Sequence, residues 1–536
     1  MAPSPLPEQE HLVTASASYG SLHPKVLFKD EASIQLIDPN PSPSKSLTSQ
    51  SRSILVRTQS SFIDDARKFN PGTLPHSIVH ALCIGVICGV CAFVYYAING
   101  WLLALLWHEL PERIVVNVWP EWSYVLWIPC ICLPMAVLLG LSVVYLGDPG
   151  DLPYTIKCVH EKGYIAMNHV LPMVVASQFS ILGGASLGPE APLIAICAAL
   201  GGLVSKSVFK NRNRNIVRKH TLMGMAGALA AFFGCPLGGS LFALEVNSRF
   251  GVEYFEHAVE AILCGEVTLA VFRGLARMPI DSIWIITANK LMHAQATDIL
   301  LGGMLGLVGA IVAYLFAAMH YQVMEFFKYM DLLRDERAVY RGLVGGSAIV
   351  LIGVCIPHTL FWGEVEFQTI ASLSPASTLP HVWPTSGLFH FEMDSGFKCL
   401  LVGVAKLVAV TFSVCGGYRG GFIFPLFSAG AAFGRAISFV LPGIPVQLTT
   451  LCMAASLNVA ITRTTLATTL ILVSLSDEPR ACSATLGASL VALFATGYMP
   501  FIKSQIARSD LDLSLYFDEE GEVTVVQQAV GEEVHV

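Results

Sequence analysis

From residue 69 to residue 108 the chain carries no formally charged side chain. About 20 apolar residues cross the hydrocarbon core of a bilayer as a helix, so this run is long enough to span one. A second uncharged run covers 122–147. Residues 163–205 hold one formal charge, Glu190; residues 220–248 hold Glu245 before Arg249; residues 436–476 hold Arg463. Further apolar segments lie near 255–275, 296–328, 340–356, 398–416 and 481–501. Charged residues make up 13% of the 536-residue chain, against about 25% in soluble proteins, and the mean hydropathy is +0.61. An ordinary soluble enzyme, a disordered chain and a disulfide scaffold are excluded, and an integral multi-pass membrane protein is what remains.

The charge outside the apolar segments is concentrated at the ends. Residues 1–75 are rich in Ser and Pro and read as a disordered arm outside the membrane. They lack the basic start and apolar stretch of a cleavable signal peptide. Residues 508–536 hold eight acids and one base and read as a short, solvated acidic tail. The remainder is balanced in charge, so nothing points to nucleic acid. Most of the 14 cysteines sit inside apolar runs. Cys88 and Cys91 have C-x-x-C spacing without a second pair or a histidine, which reads as helix packing rather than a metal or redox site. No metal and no cofactor is expected.

Many apolar segments are broken by Gly and Pro: Gly147 to Pro153, Gly183 to Pro192, Cys235 to Gly239, Gly416 to Pro425. Interrupted helices at membrane depth are tolerated around protein-buried or water-lined cavities, and transporters build binding sites from them. The breaks recur. Gly183–Pro192 and Gly416–Pro425 lie 233 residues apart, and the Pro236 turn and the Thr465 region lie 229 apart. The spacing suggests two related halves, 76–278 and 296–507, within a membrane domain of 76–507. The loop Lys206–Lys219 has six bases and no acid, which places it in the cytoplasm. The helix opened by Glu190 then ends at the cytoplasmic face, with its N-terminus inside the membrane.

A charge near the bilayer centre costs about 2.5–3.5 kcal/mol on insertion scales, so a lone carboxylate such as Glu190 has a job. Gly188 and Pro189 precede it and a helix follows. Helix N-termini offer unpaired N–H groups and partial positive charge, and so attract anions. A mobile carboxylate can occupy such a site itself and leave it when protonated. That makes Glu190 a gate that competes with a permeant anion. Gly420-Gly421-Phe422-Ile423-Phe424-Pro425 reads as a second helix start of the same kind. Two such ends, one per half, could point at one anion.

These residues resemble those of the CLC chloride channels and proton/chloride exchangers. Gly188-Pro189-Glu190-Ala191-Pro192 resembles the family's G-x-E-x-P gate element. Gly421-Phe422-Ile423-Phe424-Pro425 resembles its G-x-F-x-P element, whose amides at the positions of Phe422 and Ile423 hold the central anion. Ala230–Gly239 followed by Leu241-Phe242 and Glu245, and Thr462-Arg463 with the run to Val473, resemble two further stretches. The resemblance covers about 75–508 in one order. It implies an all-α fold of two inverted-topology halves with broken and tilted helices, a homodimer with one pore per subunit, membrane lipid as surroundings, and chloride or another small anion as the transported ligand. The implied anion-binding set is Gly150, Pro189, Glu190, Ala191, Phe422, Ile423 and Ile502.

Three departures from the family bear on function. Its G-S-G-I-P element appears as Gly147-Asp148-Pro149-Gly150-Asp151-Leu152-Pro153. Without a gap, Gly150 takes the place of the anion-contacting Ser; with one inserted residue Pro149 does, which in the family goes with nitrate preference. Ile502 takes the place of the central Tyr, with Tyr498 and Phe501 close by. Both changes remove hydroxyl donors, which weakens a dry anion site. Val246 follows Glu245 where many exchangers have an inner proton-transfer Glu, and valine carries no proton. The expected function is a passive voltage-gated chloride channel gated by Glu190, not an enzyme, with a proton-coupled chloride or nitrate antiporter as the alternative. No CBS domain, the family's paired nucleotide-binding repeat, is expected after the membrane part. Gly184-Ala185-Ser186-Leu187-Gly188 also fits G-x-S-x-G, which raises an intramembrane serine hydrolase. That chemistry needs a histidine base in reach of Ser186, and the later histidines (His257, His293, His320, His358, His381, His390) lie in or beside charged or loop-like segments. Arg463 is expected near a helix end or paired internally.

Overall fold

The computed structural model describes residues 74–118, 123–247, 257–286, 293–379, 388–389, 391–499, 501–505, 515–517 and 523–525. The arm 1–75 lies outside these residues except for Leu74 and Pro75, which already belong to the first helix.

Sixteen α-helices occur among the described residues. The first eight are α1 (Leu74–Ala104), α2 (Ser123–Leu146), α3 (Leu152–Glu161), α4 (Val170–Leu182), α5 (Glu190–Ser207), α6 (Arg214–Phe233), α7 (Pro236–Glu245) and α8 (Ala258–Ala276). The second eight are α9 (Ala296–Tyr329), α10 (Ala338–Cys355), α11 (Glu364–Ala371), α12 (Gly396–Cys415), α13 (Ile423–Val440), α14 (Val446–Thr462), α15 (Thr465–Ser476) and α16 (Cys482–Ala495). The two series match in order and kind. A very long helix opens each (α1, α9), a short one stands third (α3, α11), and Pro236 and Thr465, the two breaks paired by spacing, open α7 and α15. The packing repeats as well: α5 lies on α6 as α13 lies on α14, and α1 on α8 as α9 on α16. Across the halves α2 packs on α10 and α7 on α15. Among the described residues, seven helical segments are long and apolar enough to cross a membrane, and the chain is an integral, multi-pass membrane protein.

Helix ends follow local chemistry. The Asp151 carboxylate caps α3 by accepting from the Tyr154 amide at 3.0 Å, and Asn213 and Ser395 cap α6 and α12 in the same manner. Close crossings rest on small residues, as membrane helices require. A Cβ added at Gly224 on α6 would lie 2.1 Å from the Cys197 carbonyl of α5. One added at Gly434 on α13 would lie 2.5 Å from the Thr449 carbonyl of α14.

The basic loop sits where three other ends converge. Lys219 donates to Ser77 at the start of α1 at 3.0 Å and pairs with Glu260 at the start of α8. Arg218 donates to the His160 carbonyl at the end of α3 at 3.2 Å. All of these ends therefore share the side of the basic loop, which the charge pattern assigns to the cytoplasm.

The acidic tail holds a short hairpin outside the all-α membrane domain. Leu515–Phe517 (β1) pairs antiparallel with Val523–Val525 (β2). Aromatic and β-branched residues favour strands, and Gly521 lies between the two.

Candidate functional site

The breaks before α5 and α13 meet. The Gly188 amide donates to the Gly421 carbonyl at 2.7 Å, and the Gly421 amide returns a bond to the Gly188 carbonyl at 2.9 Å. Each glycine stands two residues before its helix, Gly188 before Glu190 and Gly421 before Ile423. A reciprocal antiparallel pair between equivalent residues is what a local two-fold axis produces. The halves are thus related by inversion in the membrane, and the N-termini of α5 and α13 are brought to one place.

At that place lies Glu190, 1% exposed. Its carboxylate occupies the space that side chains at both glycines would fill. A Cβ on Gly188 would come within 2.0 Å of Glu190 Oε2, and one on Gly421 within 2.0 Å of Glu190 Cγ. The Ile423 and Phe424 amides stand beside the carboxylate. Neither carboxylate oxygen makes a well-formed hydrogen bond. Pro425 has no N–H, and the first backbone bond of α13 is Leu426 to the Phe422 carbonyl at 3.0 Å. The amides ahead of Leu426 are thus left to face whatever anion occupies the junction. A buried carboxylate without donors is costly, and the positive end of α13 is its compensation.

Around the carboxylate is a cavity of about 30 Å³, walled by Glu190, Ala191, Phe422, Ile423, Val246 and Asp151 among others. That is room for a single small ion or water. Ala191, Phe422 and Asp151 also wall a larger chamber of about 350 Å³, together with Gly150 and Ile502. Its wall includes Arg341, Arg419 and Lys503. Arg419 pairs with Asp148 just past the end of α2, the span that returns to the side where α1 starts beside the basic loop. By the charge pattern this chamber is the cytoplasmic vestibule. Of the residues expected around an anion, Glu190, Ala191, Phe422 and Ile423 share the small cavity, while Gly150 and Ile502 face the vestibule. Pro189 is the residue before α5 and contributes backbone only.

Gly150 behaves differently from an anion donor. Its amide already donates to Asp148 Oδ1 at 2.9 Å, and its φ of +77° is the left-handed turn that permits this. Tyr498, close to Ile502 in sequence, is 99% exposed and points away, whereas Phe501 joins the vestibule wall. Val246 presents an apolar side chain to the cavity, and its carbonyl accepts from Gln505 Nε2 at 3.0 Å. Glu245 is turned from the cavity to the start of α15, accepting from the Leu466 and Ala467 amides at 3.2 and 3.0 Å.

Ser186 is fully buried and, among the described residues, its hydroxyl has no hydrogen-bond partner, so no described histidine serves it as a base and the hydrolase alternative has no support. His358 is nevertheless buried, contrary to the loop-like setting read from sequence, because its 3₁₀ turn folds back into the protein. Sequence reading missed Asp151 as a wall of both cavities, the Arg419–Asp148 pair at 2.6 Å, and Gln505, which ties Val246 to Thr462. The signal for Asp151 was present: an Asp before Leu-Pro is a helix cap, here placed at the pore.

Opposed broken helices, a buried carboxylate between their N-termini and a vestibule behind it define a membrane transporter for anions. A family model described as voltage gated chloride channel matches residues 135–497, and the chain belongs to this CLC family, whose function is anion transport. Proteins named YfeO, described by ion transport, are similar: one from Escherichia fergusonii is 25% identical over 391 residues, covering 72% of this chain and 84% of that protein. One from Shigella boydii is 26% identical over the same length and coverage. A solved slow cyanobacterial Cl⁻/H⁺ antiporter aligns with a TM-score of 0.66 at 18% identity, covering 81% of this chain and 97% of that one. A CLC-type fluoride/proton antiporter aligns with a TM-score of 0.63 at 19% identity, over 82% and 100%. At such identities these likenesses show the fold.

Proposed function

We propose that this chain exchanges a small anion, chloride first, for protons, with Glu190 as the group shared by both ions. The observation that carries this reading is the buried Glu190 carboxylate, lying beside the first amides of α13 in the space an anion would use. Carboxylate and anion compete for one site, and the carboxylate leaves most readily as the neutral acid. Each departure then takes up a proton, which couples the two movements. The Glu190 site is narrow and filled rather than open, which favours exchange over a continuous pore. The fluoride and chloride antiporters of like fold agree in direction. The anion site is read as Glu190, Ala191 and the Phe422 and Ile423 amides, and needs no cofactor.

Asp151 supplies what Val246 lacks. Asp151 lines both the Glu190 cavity and the vestibule, a position from which its carboxyl could pass protons from cytoplasmic water towards Glu190. The second reading, a passive channel, is favoured by Val246 alone. The deciding measurement records anion efflux and internal pH together in liposomes. Uphill proton movement driven by a chloride gradient is expected, and anion flow without proton movement would leave the channel reading in its place. Assembly as a homodimer is tested by cross-linking in native membranes.

A further inference from the structure

The cytoplasmic vestibule has more cationic donors than the passage of a halide needs. Arg341, at the start of α10, donates through Nε to the Cys415 carbonyl at 2.7 Å. Its two terminal nitrogens have no partner among the described residues. Arg419, on the loop before α13, is fixed from two sides: its amide donates to Ser180 Oγ at 2.8 Å, and Nη2 pairs with Asp148 Oδ1 at 2.6 Å. Its side chain is only 10% exposed, and its Nε is buried with no partner among the described residues. Both guanidiniums wall the chamber of about 350 Å³, as does Lys503, which makes no ion pair among the described residues. Arg341 feels the opposing charge of Arg419 and the favourable charges of Asp148 and Asp335. The carboxylates near the pair are Asp148, committed to Arg419, Asp335, which acts on Arg341, and Asp151, which caps α3.

Two guanidiniums held together with free donors leave a buried donor unmet, and that is costly in the absence of a partner. A planar fork presents paired N–H groups suited to two oxygens of one anion. A spherical halide meets that fork with one atom where an oxyanion offers two, and the chamber is far larger than one halide.

We propose that the vestibule holds a second site, specific for a phosphate-type oxyanion gripped by Arg341 and Arg419, with Lys503 at its rim. The same chamber is walled by Gly420 and Phe422, next to the amides at the start of α13. An oxyanion there sits between the Glu190 site and the cytoplasm and blocks it. The site is independent of whether transport is coupled to protons.

The test uses full-length protein in phosphatidylcholine nanodiscs titrated with inorganic phosphate, with binding read by calorimetry. Saturable binding is expected, and Arg419→Gln should weaken it about tenfold or more, since bonds to charged groups are the stronger ones. Arg419→Lys keeps charge without the fork and should recover only part of the loss. It also serves as the second variant should Arg419→Gln fail to fold. Glu190→Gln should bind phosphate like the wild type, which separates this site from the central one. Phosphate bound equally by wild type and both Arg419 variants, or no binding at millimolar phosphate, would overturn the proposal. Discs containing phosphatidic acid distinguish the source: if they abolish binding of free phosphate in the wild type, the guanidiniums hold a lipid phosphate group. If binding is unchanged, the ligand is the free oxyanion.

Discussion

Glu190 can lie where it does because Gly188 and Gly421 have no side chains, and this makes its position adjustable by a single methyl group. Ala at position 188 needs no unusual backbone, since Gly188 is not among the residues with positive φ. Its Cβ would meet the mobile end of Glu190 at 2.0 Å, and the carboxylate is the part that can give way. Gly188→Ala should therefore expel the carboxylate from the anion site, raising anion flux severalfold and shrinking its dependence on pH. Glu190→Gln should do likewise, because the amide imitates the protonated acid. In the wild type, acid neutralises the carboxylate and frees the site, so flux rises as pH falls; in either variant the curve flattens. The double variant should add little, as the two changes act through one contact. Flux assays across pH 5–8 in liposomes check all three, and unchanged flux in Glu190→Gln removes the gate. Asp151→Asn tests the inner side. Asn caps a helix as well as Asp does, so α3 should persist while proton uptake per anion falls.

Elements show a different relation between sequence and structure. Helix starts were legible wherever the chemistry was local: Glu190 after Gly-Pro opens α5, Pro236 opens α7, and Ile423 after paired glycines opens α13. Partners far apart in sequence were not legible. Nothing local tells that Glu245 turns to the amides of α15 or that the Gly150 amide is consumed by Asp148, and both facts change how the pore is lined. Arg463 lies between these cases. A lone charge in a 41-residue apolar run had to find a helix end, and it does. Its guanidinium donates to the Leu493 carbonyl at 3.1 Å, Thr496 Oγ1 at 2.9 Å and the Met499 carbonyl at 2.8 Å, and also to the Thr496 carbonyl. It thereby closes the C-terminus of α16. Its own backbone is left-handed, φ +66°, at the end of α14, the place Gly234 takes at the end of α6 with φ +61°. Arg463→Gly should relieve that backbone but strip the cap from α16, for a net loss of about 2 kcal/mol or more from unmet carbonyls in apolar surroundings. Thermal unfolding in detergent should show it as a lowered midpoint. An unchanged midpoint would mean that water replaces the guanidinium.

At the scale of the molecule, the same eight-helix plan is used twice, and the function belongs to the seam. Neither half holds a site by itself: α5 brings the carboxylate, α13 brings the amides, and the Gly188–Gly421 pair locks them together. The covalent link between halves is a minor part of what holds them. Residues 277–295 join α8 to α9, but Trp284 already stacks on Phe367 with centroids 3.9 Å apart, and the Ile286 carbonyl accepts from Gln447 at 3.2 Å. The end of the linker is thus anchored into the second half. Opening a chain there costs mainly the entropy of bringing two pieces together, which in a membrane of limited area is modest. Each half also carries its own signal for orientation, the loop Lys206–Lys219 in the first and Lys328, Arg334 and Arg337 in the second. A chain cut between residues 286 and 293 and expressed as two pieces should therefore reassemble, co-purify and restore anion flux. Either piece alone should be degraded or silent, since it exposes the apolar faces of α2 and α7, or of α10 and α15, and lacks half the site. Co-expression with the Glu190→Gln first half should carry the flattened pH dependence of the intact variant. Pieces that co-purify without flux would show that the seam demands a continuous chain to set the Gly188–Gly421 register. A single half that transports by itself would overturn the placement of the site at the seam.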